Sequence, residues 1–124
     1  MAGVIEDRVK ESKAMYRGII EETEYPEQYE WMLEQFITMF EWHMKKNNDY
    51  GAANITGFGI DGILVRLWDK ICRLMNLNGY KISEIKIEKI PIKKVANEPI
   101  DDTFLDVAIY ATIARCLLSG KWAK

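Results

Sequence analysis

The sequence predicts an all-α, four-helix-bundle-like domain with one short extended, β-like insertion. Three observations carry that expectation. Apolar residues recur at helical spacing in four stretches, near 2–20, 26–47, 61–77 and 99–119. Glycine, proline and asparagine punctuate the gaps between them. Strand-like alternation is confined to 79–96, where isoleucines alternate in part with lysine and glutamate. The 124 residues suffice for one domain with a core, 1–124, and are few for two ordinary ones.

Composition narrows the function classes. Hydrophobic residues make up 48% and charged residues 29%, a globular balance. The net charge of −2 argues against a generic nucleic-acid binder, which is usually basic. No apolar run reaches the ~18 residues of a membrane span. The first 13 residues are too charged for a signal peptide, so a cytoplasmic protein is expected. Cys72 and Cys116 sit among apolar neighbours and read as buried free thiols. His43 is the single histidine, which disfavours a zinc site or a Ser/His/Asp triad.

The first helix carries Val4, Ile5, Val9, Tyr16, Ile19 and Ile20, with Gly18 weakening its end. Pro26 suits the first turn of the second helix, with Thr23 as a cap upstream. Tyr29, Met32, Leu33, Phe36, Phe40, His43 and Met44 form its apolar stripe. Glu27, Glu30, Glu34 and Glu41 lie more than about 90° from the stripe's centre and read as a solvated face. Lys45 to Gly51 closes the helix with cations and turn formers. The following loop holds Gly51, Gly57, Gly59 and Gly62 and matches no phosphate-loop pattern.

Asp61 can cap the third helix, whose stripe is Ile60, Ile63, Leu64, Leu67, Ile71, Leu74 and Met75. Arg66, Asp69, Lys70, Arg73 and Asn76 occupy the opposite side. Spacing favours a surface face with ion pairs, and leaves open a phosphate-facing wall. The insertion at 79–96 is locally basic, with Lys81, Lys86, Lys89, Lys93 and Lys94. It reads as an extended arm or short hairpin, and Pro91 excludes a long central strand. A solvated loop is its default role; a flap over an anion or an arm to another subunit is the alternative.

The last helix spans about 99–119, with Gly120 just past its end and Trp122 able to pack back. Glu98, Asp102 and Asp106 stand four residues apart, so a helix stacks them in one row. From Val107 to Leu118 the helix is apolar almost all round, the pattern of a buried helix. Asp102 and Asp106 align with Ile109 and Ile113, so the acids share a face with core residues. Buried carboxylates are costly unless a cation or hydrogen-bond donors meet them. Metal or ligand contact, and a structural cap or arginine pair, are both open for this row.

Three blocks taken together add a resemblance. They are Lys46-Asn47-Asn48-Asp49-Tyr50-Gly51, then Val65-Arg66-Leu67-Trp68-Asp69-Lys70-Ile71-Cys72-Arg73-Leu74, then Glu98 through Tyr110 with its Asp-Thr step at Asp102-Thr103. In that order they resemble the nucleotide modification associated domain family of phages and bacteria, over about residues 33–118. The first helix and the arm lie outside the shared pattern. The family's helical layout is similar to the all-α MazG-like and dimeric dUTPase-like pyrophosphatases, which hold Mg²⁺ with acids from two neighbouring helices. Their first-helix acidic motif is only approximated here by Glu27, Glu30 and Glu34, and Asp69 is the substitute.

The resemblance implies a nucleotide-binding protein of nucleotide metabolism or DNA modification, with Mg²⁺-dependent nucleoside triphosphate pyrophosphohydrolysis as its reaction. Glu98, Asp102 and Asp106 would hold the metal, with Asp69 and Asp106 as the catalytic pair that orients water. Arg66, Lys70 and Arg73 would neutralise charge on the phosphates. Tyr50 would stack on a base and Asp49 would read a hydroxyl. A homo-oligomer is implied, with no membrane and no direct nucleic-acid partner. The alternative is a non-catalytic phage protein that sequesters a nucleotide or inhibits a host protein.

Overall fold

A computed structural model describes residues 2–82, 87–89 and 100–124. Among the described residues the chain is all-α apart from one two-stranded ribbon. In order the elements are α1 (Ala2–Glu21), α2 (Pro26–Tyr50), α3 (Ala53–Thr56), α4 (Gly59–Leu77), β1 (Tyr80–Ile82), β2 (Ile87–Lys89) and α5 (Ile100–Ser119). The four long helices are those that the apolar spacing predicts. The short α3 is not among them, because one turn is too short to show a period. Contacts divide the chain into two compact units, Met1–Gly51 and Ala52–Lys124.

The first unit is the helical hairpin α1–α2. Pro26 opens α2, where its missing N–H costs nothing. Thr23 does not cap α2; its hydroxyl donates to the Ile20 carbonyl at 2.6 Å and closes α1 instead. α2 continues past Asn47 through Asp49 and Tyr50. Gly51, at φ 74°, stops it by donating its N–H to the Asn47 carbonyl at 2.7 Å. Ion pairs run down the antiparallel seam: Arg8 to Glu41 at 2.7 Å, and Lys13 to Glu34 at 2.9 Å and Glu30 at 3.5 Å. The glutamate row of α2 is therefore not simply solvated. Three of its members meet cations from α1, which is reason enough for their spacing.

Packing in this hairpin is thin. α1 buries Ile5 and Val9, and α2 buries no residue at all. Phe36 and Phe40 of the expected stripe, and Trp31 beside it in sequence, remain more exposed than not. Two helices by themselves shelter the one seam between them.

Lys13 supplies a pH-dependent part of that seam. Its hydrogen bond to Glu34, followed by the charges of Glu34 and Glu30, raises its pKa above the usual 10.5. A raised lysine pKa contributes stability fully below the unfolded value, and that stability is lost as pH rises through the folded value. Wild type and Lys13→Met are expected to show the same pH slope of stability near neutrality. Above about pH 10.5 the wild type should lose stability more steeply than Lys13→Met in denaturant titrations. Parallel curves across that alkaline range would show that the pair contributes nothing.

The second unit is built on α4 packed antiparallel to α5, with α3 closing one end. Ile55 of α3, Ile63 of α4 and Ile113 of α5 form its buried cluster. Trp122 does pack back onto this cluster. Its indole N–H donates to Thr56 Oγ1 at 3.1 Å and the Ala52 carbonyl at 3.4 Å. Asp61 is not a cap, because α4 already begins at Gly59 and Asp61 lies within its first turn. An acid there still complements the helix dipole. Gly59 takes φ 57°, which a side chain rarely adopts.

After α4 the chain forms the expected short hairpin. β1 and β2 pair antiparallel, with Tyr80 opposite Lys89, Lys81 opposite Glu88 and Ile82 opposite Ile87. Lys86, Lys93 and Lys94 of the arm, and Pro91, lie outside the described residues. Both cysteines are free, as expected, and each is half-buried.

α5 is not the fully buried helix that its all-round apolar composition predicts. Thr103 and Ile113 are its buried residues, while Phe104, Leu105 and Leu118 are exposed. Among the described residues of this unit its long helical neighbour is α4, which covers one of its faces. Gly120 ends α5 at φ 77°.

Candidate functional site

The candidate site is the seam between α4 and α5. Its register is fixed by three pairs. Ile63 shares the core cluster with Ile113, Arg66 lies over the Tyr110 ring at 5.6 Å, and Lys70 Nζ meets Asp106 Oδ2 at 2.9 Å. Each turn forward along α4 is matched by one turn back along α5, as antiparallel packing requires.

The phase of α4 differs from the sequence expectation. Ile63, Arg66, Leu67, Lys70, Arg73, Leu74 and Leu77 are buried or half-buried, whereas Leu64, Val65, Trp68, Asp69 and Ile71 are exposed. Arg66, Lys70 and Arg73 therefore sit on the sheltered side, not on an outer solvated face. Long cationic side chains achieve this by laying apolar stems on their neighbours while the head reaches a partner. Arg66 finds the face of Tyr110 and, through a long 3.5 Å contact, the Asn54 carbonyl. Lys70 finds Asp106.

The acid row is only partly sheltered. Asp106 keeps 37% of its side chain exposed, with Lys70 at 17%. Asp102 is exposed, and Glu98 lies outside the described residues. Geometry explains the gradient. At about 100° per residue, Asp106 is about 60° around α5 from fully buried Thr103, and Asp102 about 100° from it. The row climbs out of the seam toward solvent. The inward placement expected for Asp102 does not hold.

Asp69 is exposed on α4, one step outside the sheltered face. Asp49 and Tyr50 end α2 in the other unit, and Tyr50 is exposed. Arg66, Lys70 and Asp106 are the expected residues that visible contacts join to one seam.

Among the described residues no three acids, histidines or cysteines gather closely enough to cage a metal. Mg²⁺ does not need such a cage. It commonly takes one or two carboxylates, keeps waters, and fills its shell with substrate phosphates. Asp102 and Asp106, one helical turn apart and both reachable from solvent, fit that more open donor set.

Sequence reasoning missed the cleft that lies beside this seam. It has a volume of about 320 Å³ and is lined by Asn54, Ile55, Phe58, Gly62, Ile63 and Arg66, among others. That is the lower end of small-ligand pockets. The glycines were its only signal, and their role is steric. A Cβ on Gly62 would stand 2.5 Å from Phe58 Cβ. Rotating Phe58 does not move its Cβ, so the backbone itself would have to shift.

Gly62→Ala therefore tests this packing. A helix-interior alanine normally gains about 1 kcal/mol over glycine. Overpacking of this kind costs about 1–3 kcal/mol. The variant is expected to melt below wild type. A higher melting temperature would show that Phe58 yields freely.

No helix among the described residues is long and apolar enough to cross a membrane. The chain matches no protein-family model. It likewise matches no curated protein and no solved structure.

Proposed function

We propose that this protein binds a nucleotide, with the phosphates on the α4 side of the α4–α5 seam. The observation that carries this reading is that Arg66 lines a ligand-sized cleft and stands one helical turn from the Lys70–Asp106 pair. Arg66 makes its described contacts with a carbonyl and a ring face, both neutral. Its charge is thus available to an anion in a partly dry setting, where it counts for more than in water. Arg73, half-buried two turns along α4 from Arg66, extends the same cationic edge.

Pyrophosphohydrolysis is the reaction proposed for the seam, with a Mg²⁺-borne nucleoside triphosphate as substrate. Asp102 and Asp106 are the carboxylates that would hold the ion. When bound, Mg²⁺ would polarise phosphate oxygens and lower the pKa of a bound water. Asp69 and Asp106 are the proposed pair for orienting that water. Arg66, Lys70 and Arg73 would meet charge developing on the phosphate.

A second reading has its own support. Lys70 already satisfies Asp106, and such a pair holds two helices together without chemistry. On that reading the protein sequesters a nucleotide or blocks a host protein and turns nothing over. Asp106→Asn separates the two. Catalysis predicts loss of Mg²⁺-dependent pyrophosphate release with a melting shift of no more than about 1 kcal/mol in stability, given the pair's partial exposure. A large drop in melting temperature, with no triphosphate hydrolysed by wild type, favours the structural pair. The exposed aromatics of α2 also support a homo-oligomer, which light scattering in solution would confirm by a multiple of the single-chain mass.

A further inference from the structure

The cleft between α3 and α4 has features that phosphate binding alone does not require. Its floor is Ile55 and Ile63, 5% and 1% exposed. Phe58 forms one wall, yet 78% of it is exposed to solvent. No acidic side chain is among its lining residues, and its one charged group is Arg66. A wet aromatic ring over an apolar floor is energetically idle unless something flat covers it. An anion alone would gain nothing from Ile55, Ile63 or Phe58.

We infer that this cleft receives a planar aromatic ring joined to an anionic group, with the ring against Phe58 and the anion toward Arg66. The charge complementarity at Arg66 selects an anion, and the apolar floor selects a ring over a free phosphate. Gly62 is the enabling residue, because only a missing Cβ lets Phe58 lie this close to α4. The inference deepens the proposed function and rests on it for one point: there, the ring is the nucleobase. The cleft then supplies affinity that is tolerant of base identity, since every base has a face to stack.

Three probes test this on the full chain: phenyl phosphate, inorganic phosphate and a nucleoside triphosphate, each titrated while backbone amide resonances are followed. Phenyl phosphate and the triphosphate should shift Ile55, Phe58 and Gly62, and inorganic phosphate should not. Phe58→Ala should weaken both ring-bearing probes about tenfold, the loss of one stacking contact. Phe58→Trp should restore them. Phe58 is mostly exposed, so its replacement leaves the fold intact, and the amide spectrum itself verifies this.

The outcomes separate cleanly. Triphosphate binding that Phe58→Ala leaves unchanged would overturn the cleft assignment and leave nucleotide binding standing. Phenyl phosphate binding that depends on Phe58, with no nucleotide bound, would uphold the ring–anion cleft and sink the nucleotide reading. No response to any probe would overturn both.

Discussion

Ile63→Ala is expected to destabilise the protein by about 2–5 kcal/mol. Ile63 is 1% exposed and touches the same cluster as Ile55 and Ile113, so it joins α3, α4 and α5 at one point. Truncation removes apolar contact and leaves a void that three separate elements cannot all collapse to fill. The better helix propensity of alanine returns only a few tenths of a kcal/mol, about 0.4 at most. Against a total stability of about 5–15 kcal/mol for a domain, such a loss is large. Leu64→Ala is the control. Leu64 neighbours Ile63 in sequence but is 57% exposed, so its truncation should stay within about 0.5 kcal/mol. Chemical denaturation of the two variants measures the rotational phase of α4. Equal losses would contradict the phase described here.

Arg66→Ala is expected to weaken nucleotide binding about 10- to 100-fold while changing stability little. A hydrogen bond to a charged group contributes about 1.5–3 kcal/mol, which sets that range. Folding loses the contact with Tyr110, about 0.5–1 kcal/mol at a partly exposed site, the long contact to Asn54 and the packing of the half-buried stem. Arg66→Lys should fall between, because an ammonium keeps the charge and loses the planar fork. Raising ionic strength should weaken the wild type more than Arg66→Ala, since the variant has already lost a screened attraction. Calorimetric titration reads all three. Equal affinity for wild type and Arg66→Ala would remove the cationic edge from the binding site.

These two substitutions bear on what the sequence does and does not encode openly. Helix spans are legible because apolar spacing, the start residue Pro26 and the stop residues Gly51 and Gly120 act locally. Rotational phase is less so. In α4 the stripe through Leu64 and Ile71 and the sheltered face through Arg66 and Lys70 compete. A periodicity count scores arginine and lysine as polar and cannot see their stems lying down. In α5 an almost uniformly apolar surface carries no phase information, so Asp102 reads as inward when it is not. Asp106, at the edge of the covered arc, meets Lys70 across the seam.

The candidate site was legible in part for the same reason. Arg66, Lys70 and Asp106 belong to motif-like blocks, and packing of α4 on α5 brings them together. Asp49 and Tyr50 share a sequence pattern with that group, and they belong to the hairpin unit. Phe58 was invisible as a site residue because its placement depends on a missing Cβ at Gly62, four residues away, not on any motif. Tyr110 shows the complementary case. It sits in the third block, but its role under Arg66 appears only once the helix register is known.

Nucleotide binding at the seam of α4 and α5 is most directly tested by titrating the isotope-labelled full chain with nucleoside triphosphates, with and without Mg²⁺. Saturable amide shifts centred on Arg66, Lys70, Asp106 and Tyr110 are predicted, with Mg²⁺ extending them to Asp102. Spectra that stay unchanged at millimolar nucleotide, or shifts confined to the α1–α2 hairpin, would contradict it.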